Sequence, residues 1–539
     1  MKKRLLALIL TGVMVLSLAA CSSSSSGDTD TSSSESADTA EEETTADEDE
    51  YLIFSYGTDA NSTTFDPASD LQTNSGSMLL HAVGETLWTV DEEGNVTLKL
   101  AESYEYTDEY LTITVQSGIL FSNGDELDAE DVLATFNNSA SASRTSSMYA
   151  AMDLENAEIT DTYTLTVPML SYDAALIDLL GNPSSMILDA DVIGEEDYGF
   201  GWLIGTGPYK LAGDGETDTS GWEESVSYTL VRNENYWGEE PYYDEVDIYF
   251  YSEESTRYAD FQSGKLDAIY LTEATYVNNL SSGAVDGASL LQIEESAAYG
   301  FEMAFSEDST GVFSDINVRK AFAHALDIET MVEELGEGIY TVATSLVGES
   351  NWAYTETGVY EYDPEAAAEY LAEAGYSVDN PLTIYVYAES TSWSSALFEA
   401  AQAYCAEIGI NLDLTGLADF STILPVLLAG EQDMSIGTAS SGSGSDPANL
   451  LQQFGPNSDN ALIRMTDEDL VEIWNEAIAS TDTEARAELY QEYIQAIYDN
   501  YYFIPVYMAT KNFGVLDEHT SFADAIDTSC TLDVTLLTD

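Results

Sequence analysis

Between Ser22 and Glu50 the chain is written in Ser, Thr, Asp, Glu, Ala and a single Gly, without one aromatic or branched aliphatic side chain. Such a segment cannot bury enough apolar surface to offset the entropy of ordering, so it is expected to remain an unfolded tether. Fully extended it reaches on the order of 100 Å. Every folded element therefore has to lie beyond it. Tyr51, Leu52, Ile53 and Phe54 are the first packable residues, and they open a body of 489 residues, 51–539. That length predicts about three structural lobes, or two large ones.

The residues before the tether read as a secretion leader. Met1-Lys2-Lys3-Arg4 is basic, and Leu5 to Ala20 is an apolar stretch closed by small residues. A bilayer-crossing helix needs roughly 20 apolar residues, more than this run offers comfortably. Leu18-Ala19-Ala20-Cys21 resembles the lipobox of bacterial lipoproteins. The resemblance implies that residues 1–20 are a signal peptide and that Cys21 is acylated, tying residues 21–50 and the body to the outer face of the bacterial cell membrane.

Loss of the leader removes Lys2, Lys3 and Arg4, leaving 11 of the 14 basic residues against 99 acidic ones, a net charge near −88. A polyanion partner requires a basic patch, so nucleic acid is excluded as a ligand. Acidity of this kind reads first as solvation outside the cell, with a salty habitat as the second reading.

Catalytic signatures are sparse. His81, His324 and His519 are far apart and show no metal-ligand spacing; there is no G-x-S-x-G elbow, no S-x-x-K and no Walker A loop. Asp214 to Asp218 lacks the spacing of an EF-hand loop and reads as a solvated turn. His324, among Ala321, Phe322, Ala325 and Leu326, reads as a packed or capping histidine. Cys405 and Cys530 read as two buried thiols rather than a disulfide. No cofactor, no metal and no catalytic residue is expected.

The body mixes α and β patterns. Residues 110–115, 163–167 and 226–231 alternate at period two and predict half-buried strands. Asp363-Pro364 through Gly375 predicts a capped helix, Ala396 to Ile408 is helix-like, and Thr481 to Glu484 is a capping box opening a helix to Tyr498.

Several segments, in order, then resemble one family. Phe65-Asp66-Pro67, Val83 to Leu87 and Leu100 to Tyr104 are followed by Phe121-Ser122-Asn123-Gly124 with Ala129-Glu130-Asp131-Val132. Gly205-Thr206-Gly207-Pro208-Tyr209, Arg232 to Gly238, Gln262 to Asp267, Val318 to Asp327, Glu369 to Tyr376 and Ile504 to Tyr507 continue the order. This collinear set is similar to the extracytoplasmic solute-binding proteins of peptide and nickel ABC importers, family 5. Most of the fragments read first as scaffold, with Gly207-Pro208 and Asn123-Gly124 as turn formers.

The resemblance implies an α/β, periplasmic-binding-protein-like fold: lobe I from 51–88, 206–295 and 511–539, an inserted domain at 89–205, and a further lobe at 296–510. Cleft closure on a small, peptide-like solute, and delivery to ABC permease subunits by a monomeric receptor, are the implied function. A non-peptide solute such as an oligosaccharide or nickel chelate is the alternative, and a secreted hydrolase or signalling receptor a more distant one.

Peptide binders of the family carry a tryptophan and then an aspartate four residues before a proline, the aspartate pairing with the ligand ammonium. Here Ser443 holds that place before Pro447, with no tryptophan preceding it. Either another acid pairs with the ammonium, Asp446 being the nearest, or the ligand lacks a free N-terminus. Ser440 belongs to the same loop, and Arg464 is the candidate for a ligand carboxylate. Trp393 on one lobe, and Thr73, Asn74, Ser75, Gly76, Ser77 and Met78 on the other, are the candidate walls.

Overall fold

Helix signals in the sequence act where they stand. Asp363 Oδ1 accepts from the N–H groups of Glu365 and Ala366, at 3.1 and 2.9 Å, and starts the helix Pro364–Glu373. Gly375, at φ +90°, stops it. The helix predicted to open on a Thr481 capping box begins instead with Asp482 as the cap, and runs Thr483–Asp499. Of two adjacent capping side chains, the carboxylate matches the positive end of the helix. The helix predicted from Ala396 starts at Trp393.

The computed structural model describes residues 51–539 except 60–66, 68–73, 92–93, 143–144, 196–197, 199–201, 214–220, 224, 307–310, 337, 390–392, 418–421, 423–425, 427–431, 440–445, 459–461 and 527–530. The Asp214 to Asp218 turn and Cys530 lie outside the described residues. Cys405 is a buried free thiol whose pKa burial raises.

One twelve-stranded sheet runs through both lobes of this α/β fold. In the first lobe Ile53–Thr58 lies parallel to Glu245–Phe250 and Ala268–Leu271, extended by Ser227–Arg232 and Tyr209–Leu211. In the second lobe Leu382–Glu389 lies parallel to Ile410–Leu417 and Met434–Thr438. Two long antiparallel strands, Ala288–Met303 and Phe503–Leu516, belong to both. They pair at one end in the first lobe (Ala288 with Leu516) and at the other in the second (Glu302 with Phe503). Sequence reading missed these two, because Phe503 to Ala509 is buried residue after residue and shows no alternation.

A separate four-stranded antiparallel sheet, Ala101–Tyr106, Tyr110–Val115, Thr164–Pro168 and Glu158–Asp161, packs with the helix Ala129–Ser141. It has its own core around Trp88, Leu111, Phe121 and Phe136. The Gly205-Thr206-Gly207 turn carries the chain back from it to the first lobe. These two glycines are required by proximity, not by φ: a Cβ on Gly205 would sit 2.1 Å from the Val83 carbonyl oxygen, and one on Gly207 2.7 Å from that of Ala82.

Candidate functional site

The candidate site grows from a fault in the long strand Ala288–Met303. Its register against Phe503–Leu516 breaks between Glu294 and Ala298, and again between Tyr299 and Gly300. The freed backbone is taken up by the second lobe: Ala298 N–H donates to Leu346 O at 2.9 Å, and Gly348 N–H to Ser296 O at 2.8 Å. Two consecutive acids, Glu294 and Glu295, therefore stand where the strand passes between lobes. Thr341 Oγ1 donates to Glu294 at 3.3 Å.

Glu295 lies close enough to the Tyr299 hydroxyl to raise its pKa. Tyr299 stacks on Tyr507 (5.1 Å between centroids, 14° between planes), and Tyr340 leans on Tyr507 at 4.8 Å. The negative field of Glu295 also reaches Tyr270 on the first-lobe strand Ala268–Leu271. Burial first holds the Tyr270 and Tyr299 hydroxyls well above the usual phenol range, followed by Glu295 at Tyr299 and by Asp59 and then Glu295 at Tyr270. Both lobes thus contribute protonated phenols around one carboxylate.

Beside this cluster lies a cavity of about 650 Å³ bordered by Glu294, Glu295 and Ser296. The helix Asn74–Val83 and its exit supply Leu80, His81 and Glu85; the inserted domain supplies Lys99, Asp178, Asn182 and Met186; the second lobe supplies Gly348 and Ser350. The volume falls in the range of small-molecule sites, ~300–1,000 Å³. Its charged residues are mainly acidic, with Glu85, Asp178, Glu294, Glu295 and Asp533 against Lys99 and His81. Glu85 accepts from Trp237 Nε1 at 2.7 Å, and burial raises its pKa. Asp533 lies 3.8 Å from His81 Nδ1.

Asp178 does more than line the wall. Its Oδ2 accepts from Asn449 Nδ2 at 2.7 Å and from the Asp446 N–H at 3.3 Å, and nearby Ala174 N–H donates to Ile478 O at 2.8 Å. Inserted domain and second lobe are latched together there.

The residues expected from sequence fall into three groups. Ser440, Ser443 and Thr73 lie outside the described residues, as do the side chains of Asn74, Ser75 and Trp393; Asn74 and Trp393 each open a helix. Gly76, Ser77 and Met78 fall in the first turns of Asn74–Val83, where Met78, 1 % exposed, packs into the lobe core with Phe54 and Tyr56 and presents no face to a cleft. Arg464 is half-buried between the core residues Ile463 and Met465.

Asp446 is engaged elsewhere. Its Oδ1 accepts from Ala448 N–H at 2.9 Å, capping the turn Pro447–Leu450, and its Oδ2 pairs with Arg486 at 2.5 Å. Burial raises the carboxyl to about 6 against the pull of Arg486, so the pair is charged at neutral pH. A carboxylate already matched to a guanidinium has no charge to offer a ligand ammonium. Glu295, Tyr299, Tyr507 and Asn449 were missed: a register fault between strands more than 200 residues apart leaves no local signal, though Ile504 to Tyr507 stood among the resembling fragments. His324 is a packed histidine, its Nδ1 2.8 Å from Glu361 O and its Nε2 3.1 Å from the Tyr501 hydroxyl.

Residues 95–461 match the family described as bacterial extracellular solute-binding proteins, family 5 Middle. The chain is 26% identical over 443 residues to heme-binding protein A of Haemophilus influenzae, covering 76% of this chain and 78% of that protein. It is 24% identical over 470 residues to the glutathione-binding protein GsiB of Salmonella paratyphi A, covering 83% and 87%. Among solved structures, the ABC transporter-associated periplasmic binding protein DppA of Helicobacter pylori, in complex with the peptide STSA, superposes with a TM-score of 0.75 at 19% identity, over 90% of this chain and 97% of that one.

Proposed function

The chain belongs to the bacterial extracellular solute-binding proteins of family 5, and from that premise we propose that it captures a peptide or peptide-like solute for an ABC importer by closing its lobes, the ligand's ammonium facing Glu295. The observation that carries the ligand class is the acid pair Glu294 and Glu295, set at the crossing between lobes on the border of the cavity. A buried ammonium needs a carboxylate, the Asp446 charge is matched by Arg486, and Glu295 stands beside the buried Tyr299 hydroxyl. A relative named for heme keeps non-peptide solutes as the second reading, while one named for glutathione, itself a small peptide, fits the first.

Differential scanning fluorimetry on the mature chain tests this. A ligand at about 100 Kd contributes roughly 2.7 kcal/mol and lifts Tm. Free-amine tri- and tetrapeptides are expected to raise Tm, their N-acetylated forms to do so far less, and Glu295→Gln to weaken binding about tenfold or more. Equal shifts from acetylated and free peptides remove the role of Glu295. A response confined to chelates or sugars turns the reading to the alternative ligands.

We also propose that the body is tethered through an acylated Cys21, the reading supported by the lipobox resemblance and by the absence, among the described residues, of any helix long and apolar enough to cross a membrane.

A further inference from the structure

At the far end of the first lobe, Asp267, Glu518 and His519 bring one ligand atom each within 4.8 Å of one another. Their place is about 20 Å from the interlobe crossing: Leu516, which donates to Asp267 O at 3.0 Å, pairs with Ala288, six residues of strand before Glu294.

The His519 side chain is 8 % exposed, and its ring is fixed edge-on to Phe54, 5.2 Å between centroids. Its Nδ1 lies 3.0 Å from Asp539 O and 3.0 Å from the Tyr243 hydroxyl. The Asp539 main-chain oxygen only accepts, so Nδ1 carries the proton, and Nε2 is the nitrogen turned toward the carboxylates. Buried Nε2 makes no hydrogen bond. It faces Asp267 Oδ1 at 3.5 Å. A proton shared by imidazole and carboxylate would draw the two to about 2.7–2.9 Å. Two ligands on one tetrahedral ion, with bonds of about 2.0–2.2 Å, stand roughly 3.4 Å apart. Asp267 is also oriented from behind, its Oδ2 accepting from Ser55 N–H at 2.7 Å. A main-chain oxygen on the far ring nitrogen and a second bond on the ligating carboxylate are the outer-shell pattern of a metal site.

We propose that Asp267, Glu518 and His519 bind a divalent first-row transition ion, Zn²⁺ or Mn²⁺, outside the ligand cavity and independently of the transport reading. Two carboxylates and a neutral imidazole cancel the charge of the ion. Exposed Glu518 leaves one side open for entry and for water at the remaining position.

The mature chain, stripped with EDTA and held in millimolar Mg²⁺ to occupy its surface carboxylates, is titrated with Zn²⁺ by calorimetry. One saturable equivalent is expected, at least tenfold weaker in Glu518→Ala, lost in His519→Gln and unchanged in His324→Gln. Glu518 is exposed, so its variant stays folded and the test holds even if His519→Gln does not fold. Absence of a saturable event, or one that Glu518→Ala leaves untouched, overturns the proposal and makes the trio an ion pair only. Binding without a defined stoichiometry means an adventitious ion only, and overturns it likewise.

Discussion

Arg486 and Asp446 form the most consequential residue pair in the second lobe. Both are over nine-tenths buried, and the guanidinium also rests 5.4 Å from the Trp352 ring and 5.7 Å from that of Tyr490. Removing one member of such a pair strands the other charge, at about 3–5 kcal/mol, whereas removing both costs far less. Arg486→Leu is expected to lose stability in that range and Arg486→Leu with Asp446→Asn clearly less, in a denaturant-unfolding cycle; additive losses would mean that the pair is not coupled. Glu302 behaves in the opposite sense. Its Oε2 accepts from Ser435 at 2.8 Å, and burial raises its pKa to about 7. Below pH 4.5 the carboxyl is protonated folded or unfolded. Between 4.5 and 7 only the unfolded chain ionises it, so stability falls with rising pH and the penalty is complete above 7. Glu302→Gln should therefore match the parent Tm near pH 4.5 and exceed it at pH 8, by at most about 3 kcal/mol. An equal Tm difference at both pH values would show that Glu302 is ionised throughout. Asp446 was legible in the sequence as the acid beside Pro447, but its role was not, because the partner that neutralises it lies 40 residues downstream on another helix.

Elements divide by the range of what specifies them. Caps and turns are local, so Asp363, Gly375 and the alternating strand 110–115 could be read directly. The two long strands and their register fault depend on pairing across more than 200 residues and on contact with 346–348, which no window of sequence contains. The latch between Asp178 and Asn449 is of the same kind, 271 residues apart. It joins the inserted domain to the second lobe, and a hydrogen bond to a charged group contributes about 1.5–3 kcal/mol. Asn449 does not line the cavity, so Asn449→Ala should weaken ligand binding about tenfold by favouring the open form and raise the radius of gyration of the ligand-free protein in X-ray scattering. If affinity and radius are both unchanged, the latch does not bias closure.

At the scale of the whole molecule, fold class and family were legible because they rest on many weak segments in fixed order, while the proposed ligand site was not, because it rests on a few side chains at a junction. Cys21→Ser tests the tether: the variant is expected in the medium, and its retention in the membrane fraction after a salt wash would refute the anchor. The strands Ala288–Met303 and Phe503–Leu516 carry a consequence for unfolding. Lobes joined by slack linkers melt one by one, each at its own temperature. Here the ladder of main-chain bonds is shared, so neither half can lose its order without fraying the edge on which the other is built. Heating should give a single calorimetric peak whose van't Hoff and measured enthalpies agree, and a bound solute should move that peak as a whole instead of splitting it.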